Sequence, residues 1–381
     1  MYLSLLEITN FRNYISQKVK LKNGINIFIG NNAQGKTNLL ETIYFLSMAK
    51  SHRGVIDKNL INSCSEYTRI KAEKISNEEK TILEIALNCE EKILKINNNQ
   101  IKLPSDYVKE LKTIIFFPED LDLLKGSPDE RRKYLNNELI QIYDSYGKIL
   151  NDYNKLLKNR NEYIKYMRYK EPYNENYFEI LNDYYIKKSI LIYKLRKKYI
   201  DKINEKIDEI FKDITGDSNI RLKYIPIIDF DNFNEDEMYI KIKDILNKKL
   251  KDEIDYGKSI YGPHRDDFLF LLDNNDLKCF GSQGQQRAAV ISLKLSEIEI
   301  FRKSTGSSPI LLLDDVFSEL DEFKKNNLLK YIDNKIQTII TSTDLNSIST
   351  KLIKKAKIFE VKEGKIKLWK GEKNGKEQST L

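Results

Sequence analysis

The sequence predicts an α/β protein in which two stretches of strands and helices flank a long helical insertion. Short apolar runs at residues 25–29 and 113–117 near the amino end, and at 268–272 and 310–313 near the carboxyl end, are typical of buried strands. Between them, apolar residues recur at steps of three and four, as in packed helices. We therefore expect residues 1–126 and 256–381 to form one body and residues 127–255 to form the insertion.

The insertion contains two periodic stretches separated by Pro172. The first has a stripe at Leu139, Ile142, Tyr146, Ile149, Tyr153, Leu156, Arg160, Tyr163 and Met167, and the second at Ile192, Leu195, Tyr199, Ile203, Ile207 and Ile210. Two long helices that reverse at Pro172 would form an antiparallel arm or lid with a coiled-coil seam. An ordinary helical subdomain with a core stripe is an equal alternative.

Composition limits the classes of function. The 381 residues carry 65 Lys and Arg against 57 Asp and Glu, and this net charge of +8 is compatible with a polyanionic partner but also with an A·T-rich genome. We expect no membrane span and no signal peptide. Three separated cysteines and two histidines predict neither a structural zinc nor a disulfide framework, so a cytoplasmic location is expected.

The strongest motif follows the strand at residues 25–29 and begins a helix. It matches G-x-x-x-x-G-K-[ST] at Gly30, Asn31, Asn32, Ala33, Gln34, Gly35, Lys36 and Thr37. Backbone N–H groups of such a loop bind phosphates, Lys36 would reach the β- and γ-phosphates, and the Thr37 hydroxyl would bind Mg²⁺. The motif predicts a site for ATP and Mg²⁺.

A second motif is an apolar strand that ends in two carboxylates, Asp314 and Asp315, followed by Ser318-Glu319-Leu320-Asp321. Asp314 is expected at the Mg²⁺ and Asp315 beside the attacking water. Before that strand, Ser282-Gln283-Gly284-Gln285 begins a helix and resembles the S-G-G-Q signature of ABC ATPases. In that family the serine and the helix amino terminus bind the γ-phosphate held by the other subunit, which makes Ser282, Gly284 and Gln285 site candidates.

Taken in order, the motifs resemble the RecF family of ABC/SMC-type ATPases from residue 1 to about residue 343. Besides those already given, they are residues 10–14 (N-F-R-N-Y), 38–41 (N-L-L-E), 51–53 (S-H-R), 117–121 (F-P-E-D-L) and 262–267 (G-P-H-R-D-D).

The resemblance implies an ABC/SMC-type head with an inserted helical arm that dimerises on ATP and hydrolyses it slowly. It also implies binding to single-stranded or gapped DNA and junctions, cooperation with RecO and RecR in loading RecA, and a part in SOS induction. Arg12 and Asn13 become further candidates for contact with the nucleotide, by analogy with related heads.

Three departures from the family pattern stand out. Asn136 follows Arg131-Arg132-Lys133-Tyr134-Leu135, where an Asp is usual, and no role is assigned to it. The switch histidine of ABC proteins is absent, so Thr341 or Thr343 would sense the γ-phosphate. Asp315 replaces the usual Glu, and this shorter side chain predicts slow turnover.

Two other functions fit parts of the pattern. A small-molecule kinase with a helical lid also needs a P-loop, although the S-x-G-Q and S-E-L-D motifs have no role in a monomeric kinase. A clamp that uses ATP only to join two protomers would need the same motifs without catalysis. His264 and Arg265 belong either to a functional loop or to a buried polar strut, and the strut is favoured.

Overall fold

The computed structural model describes residues 1–169, 173–319, 322–332, 336–346 and 348–369. The chain forms two compact units, residues 1–118 with 305–381 and residues 119–304. The three-part division at residues 126 and 255 stays a prediction. Among the described residues no helix is long and apolar enough to cross a membrane.

Strands occur in both units. They are β1 (Tyr2–Phe11), β2 (Tyr14–Lys20), β3 (Ile25–Ile29), β4 (Tyr67–Ser76), β5 (Glu79–Asn88), β6 (Lys92–Ile96), β7 (Asn99–Gln100), β8 (Thr113–Phe116), β9 (Ile220–Ile225), β10 (Asp267–Leu272), β11 (Asn275–Asp276), β12 (Ile310–Asp314), β13 (Thr338–Ser342), β14 (Lys357–Lys362) and β15 (Lys365–Leu368).

Helices occur in both units and occupy most of the second. They are α1 (Lys36–Met48), α2 (Pro104–Val108), α3 (Asp122–Lys125), α4 (Pro128–Ile142), α5 (Tyr146–Tyr169), α6 (Glu175–Asn204), α7 (Ile207–Thr215), α8 (Glu235–Lys248), α9 (Leu250–Tyr256), α10 (Leu277–Phe280), α11 (Gln283–Thr305), α12 (Glu322–Tyr331) and α13 (Thr350–Ile353). Single 3₁₀ turns lie at Asp57–Leu60, Pro118–Leu121, Pro263–Arg265 and Val316–Glu319.

The first unit contains two sheets. One is antiparallel, in the order β2-β1-β4-β5-β6-β7, and the other has the order β15-β14-β3-β13-β12-β8, in which all strands but β15 are parallel. Helix α1 packs against strands of both sheets, which explains why it is apolar on nearly every side. Parallel strands end at one edge of their sheet, so the carboxyl ends of β3, β13 and β12 meet there.

Two hairpin turns contain asparagine or glycine, residue types that favour tight turns. Asn97 and Asn98 connect β6 to β7 with φ of 49° and 68°, and Glu363 and Gly364 connect β14 to β15 with φ of 50° and 69°. Positive φ at both central residues belongs to the tight turn that matches the twist of a hairpin. The sequence also predicts a short strand at residues 19–21; in the structure this strand is longer, Tyr14–Lys20 paired along β1, and Leu21 lies beyond it.

In the second unit α5 and α6 run antiparallel, as predicted. Tyr153 stacks on Tyr185, and Tyr163 stacks on Phe178, so residues later in α5 meet residues earlier in α6. The predicted reversal at Pro172 lies outside the described residues. Both helices also pack on other parts of the unit, α5 on α9 and α6 on α8 and β9. This packing favours the helical subdomain with a core stripe over an isolated coiled coil.

The two predicted helices are in fact four. The first stripe is interrupted because Tyr143 adopts an extended conformation after α4, and the Asp144-Ser145 turn leads into α5. The second is interrupted between Asn204 and Ile207, where α6 ends and α7 begins. Strand β9 was missed, although Ile220, Leu222 and Tyr224 alternate with exposed residues along it.

Several polar side chains of the second unit are buried in contact with one another. Arg196 forms an ion pair with Asp266 at 2.8 Å, and Tyr224 also donates a hydrogen bond to that carboxylate. Burial raises the pKa of Asp266 to about 6, while Arg196 opposes the rise. His264 contacts the Tyr153 hydroxyl through Nδ1 at 2.7 Å and the Ser259 carbonyl through Nε2 at 3.1 Å. These contacts are those of the predicted polar strut for His264, whereas Arg265 is exposed and is no part of a buried strut.

His264 gives a pH dependence of stability. Burial lowers its pKa from 6.5 to about 4, and nearby arginines add to the effect. Below pH 6.5 the unfolded chain therefore binds a proton that the folded chain does not, and stability falls on acidification until about pH 4. We expect His264→Gln to remove this loss, worth up to about 3 kcal/mol.

The measurement is the free energy of unfolding of both proteins at about pH 7 and about pH 4. The difference between wild type and His264→Gln should grow in favour of the variant as pH falls. Parallel pH profiles for the two proteins would show that the imidazole titrates alike in the folded and unfolded states.

Candidate nucleotide-binding site

The phosphate loop lies where β3 ends. Gly30 follows the strand, Ala33 and Gly35 adopt φ of 63° and 110°, and α1 begins at Lys36. A Cβ at Gly30 would collide with the carbonyl oxygen of Val361, and a Cβ at Gly35 with the amide of Asn13. The loop therefore needs glycine at both positions. Its N–H groups and the amino terminus of α1 are donors of the kind that bind phosphate in such loops.

Lys36 bends back over the loop. Its Nζ donates hydrogen bonds to the carbonyls of Gly30 at 2.6 Å and Asn31 at 3.0 Å. Burial lowers the pKa of Lys36, and the carboxylates of Asp315 and Asp314 oppose that change. An ammonium has three hydrogens, so one remains for a phosphate oxygen.

Asp314 meets Thr37 as the sequence predicts. The Thr37 hydroxyl donates to Asp314 Oδ2 at 2.8 Å, although β13 lies between β3 and β12 in the sheet. Thr341 on β13 contacts the other carboxylate oxygen, with Oγ1 2.6 Å from Asp314 Oδ1. A hydroxyl and a carboxylate in direct contact at the end of a P-loop are hard oxygen ligands of the type that Mg²⁺ prefers.

Asp315 takes an unusual backbone conformation. Its φ is 51°, and its N–H donates to the Thr341 carbonyl at 3.2 Å. Positive φ at a non-glycine residue is uncommon and often marks a functional turn. The residues after it are described only as far as Glu319, and Leu320 and Asp321 of the predicted S-E-L-D motif lie outside the described residues.

The loop is braced by contacts that the sequence analysis missed. Asn13 Nδ2 donates to the Gln34 carbonyl at 3.0 Å, and Asn38 Nδ2 donates to Asn13 Oδ1 at 2.9 Å. The β14–β15 turn also contacts Gln34. The N–H of Glu363 donates to Gln34 Oε1 at 2.7 Å, and the N–H of Gly364 donates to the Gln34 carbonyl. Asn13 is therefore a support of the loop in this structure.

Arg12 is bound to α1. Its guanidinium forms two parallel hydrogen bonds with Glu41, of 3.0 and 3.1 Å, and the carboxylate is fully buried. Ser51 also donates to Glu41 at 2.6 Å, and Arg53 lies 3.9 Å from it. Ser51 and Arg53 of the S-H-R motif thus contact α1 through Glu41, whereas the His52 ring stacks on Phe117 with their centroids 3.8 Å apart.

Residues 282–285 at the amino end of α11, here called the signature end, belong to the second unit. Ser282 precedes α11 and forms a reciprocal cap: the N–H of Gln285 donates to Ser282 Oγ at 3.2 Å, and the N–H of Ser282 donates to Gln285 Oε1 at 2.9 Å. Ser282 is exposed, and Gly284 lies in the first turn beside it. The cap uses a lone pair of the serine oxygen, so the hydroxyl hydrogen is left to donate to an anion.

Comparisons with known proteins show which family this chain is similar to. Residues 2–367 match the family described as the RecF/RecN/SMC N terminal domain. The chain is 38% identical over 366 residues to the DNA replication and repair protein RecF of Pediococcus pentosaceus, covering 96% of this chain and 98% of that one. Its identity to the RecF of Shouchella clausii is 40% over 374 residues, covering 96% and 99%.

The chain belongs to the RecF family. A solved RecF structure described as RecF-ATP in the RecFOR pathway has a TM-score of 0.89 at 32% identity and covers 97% of both chains. An SMC head bound to the C-winged helix domain of ScpA has a TM-score of 0.55 at 14% identity, covering 97% of this chain and 98% of that one, which shows a shared fold alone. The predicted ABC/SMC-type head is thereby confirmed.

Proposed function

We propose that this RecF-family chain is a DNA-binding ATPase of recombinational repair that dimerises on ATP and hydrolyses it slowly as a switch. The contact between Thr37 and Asp314 at the end of the P-loop carries the proposal, because it joins the two motifs that an ATPase needs. A solved relative described as RecF-ATP supports ATP as the nucleotide.

The described side chains fit Mg²⁺-ATP. The P-loop N–H groups and Lys36 would hold the phosphates, and Thr37 with Asp314 would hold the metal, which supplies charge neutralisation when bound. Asp315 would orient or deprotonate the attacking water. Thr341 is hydrogen-bonded to Asp314, so a change at the metal site would reach β13 through this hydroxyl. Thr341 would therefore replace the switch histidine more directly than Thr343.

Ser282, Gly284 and Gln285 would complete the ATP site of a second protomer. The hydroxyl hydrogen of Ser282 and the first N–H groups of α11 are donors suited to a γ-phosphate. Asp315, shorter than glutamate, would hold the attacking water less closely and make turnover slow. ATP then serves mainly to time the association of two protomers.

DNA is the ligand whose binding the ATP-dependent dimer would control, and we call this control the ATP gate. The family name and the RecFOR description of the solved relative support DNA replication and repair as the process. We propose single-stranded or gapped DNA and its junctions as ligands, RecO and RecR as cytoplasmic partners, and RecA loading with SOS induction as the outcome. The net charge of +8 is compatible with DNA, although it does not select a DNA structure.

Titration of labelled gapped DNA tests the gate. We expect tighter binding with a slowly hydrolysed ATP analogue than without nucleotide, because a dimer doubles the number of phosphate contacts. Affinity should also fall steeply with salt, since each phosphate contact releases roughly one counterion. By linkage, DNA should strengthen ATP-dependent dimerisation by the same factor.

The alternatives give different results in this titration and in an assay of phosphate release from ATP. A small-molecule kinase would bind DNA weakly and equally in both nucleotide states. A non-catalytic clamp would show the gate but no ATP turnover, with or without DNA. Equal DNA affinity with and without nucleotide would remove the ATP gate from the proposal.

A further inference from the structure

An exposed carboxylate that belongs to no sequence motif is hydrogen-bonded to Gln285 at the signature end. Asp217 lies in the loop between α7 and β9, and its Oδ2 accepts a hydrogen bond of 2.9 Å from Gln285 Nε2. The other end of the same amide, Gln285 Oε1, accepts the N–H of Ser282. One carboxamide therefore connects Asp217 to the signature serine.

The loop that presents Asp217 is fixed on both sides. Gly216 ends α7 in the left-handed conformation with φ of 85°, and the N–H of Asp217 donates to Thr215 Oγ1 at 3.0 Å. On the other side, Asn219 Nδ2 donates to Asp273 Oδ1 at 2.9 Å, and the N–H of Asp273 returns to the Asn219 carbonyl at 3.2 Å. These bonds fix the backbone of the loop from which the carboxylate reaches Gln285.

Gln285 needs such an anchor. A glutamine at the third position of a helix can cap the serine only if its amide points back toward the amino terminus. Asp217 accepts the amide N–H₂ and therefore favours the orientation in which the amide oxygen faces Ser282. A bond from N–H to a carboxylate is stronger than one to a neutral acceptor, which matters at an exposed site.

The preceding segment leads back to the long helix of the insertion. Asn204 at the end of α6 exchanges two hydrogen bonds of 2.8 Å with Leu222 of β9, and Asp208 of α7 accepts the N–H of Ile220 at 2.9 Å. The position of Asp217 is thus set by the ends of α6, α7 and β9. No catalytic motif of the sequence includes any of these residues.

We propose that Asp217 is a positioning residue of the composite ATP site: through Gln285 it orients the Ser282 that binds the γ-phosphate held by the partner protomer. The inference rests on the proposed ATP-dependent dimer. It means that a residue of the helical insertion helps to control dimerisation. Asp217 itself does not touch the nucleotide.

The test compares Asp217→Ala and Asp217→Asn with Glu209→Ala, which removes the same charge from α7. ATP-dependent dimerisation, measured by sedimentation with a slowly hydrolysed analogue, should weaken roughly three- to tenfold in Asp217→Ala. Asp217→Asn keeps an acceptor and should recover most of the loss, and Glu209→Ala should match wild type. Nucleotide affinity at protein concentrations too low for dimers should be unchanged in all three.

A double variant separates positioning from general damage. If Asp217 acts through Gln285, adding Asp217→Ala to Gln285→Ala should cause no further loss of dimerisation, whereas additive losses would overturn the inference. Stronger dimerisation of Asp217→Asn would also overturn it, because the carboxylate would then be repelling phosphate. Equal ATP-dependent dimerisation of wild type and Ser282→Arg would contradict the proposed composite site itself. This outcome can be distinguished from a failure that concerns Asp217 alone.

Discussion

Lys36→Ala is expected to weaken ATP binding by about 10- to 100-fold, because it deletes a charge-assisted contact to the β- and γ-phosphates worth roughly 1.5 to 3 kcal/mol. The ammonium is already held over the loop by the carbonyls of Gly30 and Asn31, so little ordering is needed when ATP binds. Lys36→Arg keeps the charge but displaces it, and should impair turnover more than binding. Titration with a fluorescent ATP analogue gives the affinities, and phosphate release gives the turnover.

Lys18→Ala is a matched control for that experiment. Lys18 is also in the first unit, but its side chain is 63% exposed and pairs with Glu7 on the antiparallel sheet. Its removal should leave ATP affinity unchanged. Normal affinity in Lys36→Ala would mean that residues 30–37 do not form a phosphate loop.

Local sequence was enough to predict the core of the site. The P-loop, Asp314 and Ser282 each belong to a short motif in which spacing and residue type specify a strand end or a helix start. The Thr37–Asp314 contact joins residues 277 positions apart, yet their proximity could be predicted because both were expected to bind the same Mg²⁺. The expected chemistry supplied the long-range information here.

Supports of the site were not predictable in this way. Gln34 is held by the β14–β15 turn, 329 residues away in the chain, and Gln285 by Asp217, 68 residues away. A contact of glutamine with a backbone group or with aspartate has no fixed spacing in the sequence and needs no unusual residue type. The sequence therefore does not reveal it. Such contacts follow only from the paired strands and capped helices that bring the loops together.

The insertion shows a similar limit for secondary structure. Periodicity predicted helices correctly, but it continued through Tyr143 and through residues 205–206, where the chain turns without losing its apolar period. Arg160 was an anomaly on the predicted seam. Its partners, Glu253 and Ser259, lie more than 90 positions later, so the sequence offered no reason for a cation at a core position.

Arg160→Leu should therefore destabilise the helical unit by about 3 to 5 kcal/mol, the usual cost of leaving one partner of a buried ion pair alone. Both side chains are fully buried, and Arg160 bonds to Glu253 and Ser259 at 2.6 Å and to Asn182 at 2.7 Å. Leucine removes all three bonds, so the buried Glu253 carboxylate loses its cation, although the N–H of Ile260 still donates to it at 2.9 Å. Denaturant unfolding followed by circular dichroism measures the loss.

Replacing both partners tests whether the loss comes from the stranded carboxylate. In Arg160→Leu with Glu253→Leu no charge remains buried, so the double variant should be more stable than Arg160→Leu alone. Lys243→Ala breaks the exposed pair with Glu179 in the same unit and should cost far less stability than Arg160→Leu, because solvent screens exposed pairs. A loss for Arg160→Leu no larger than that of Lys243→Ala would show that the buried pair adds nothing to the stability of the unit, and that water or a shift of Glu253 compensates for the missing guanidinium.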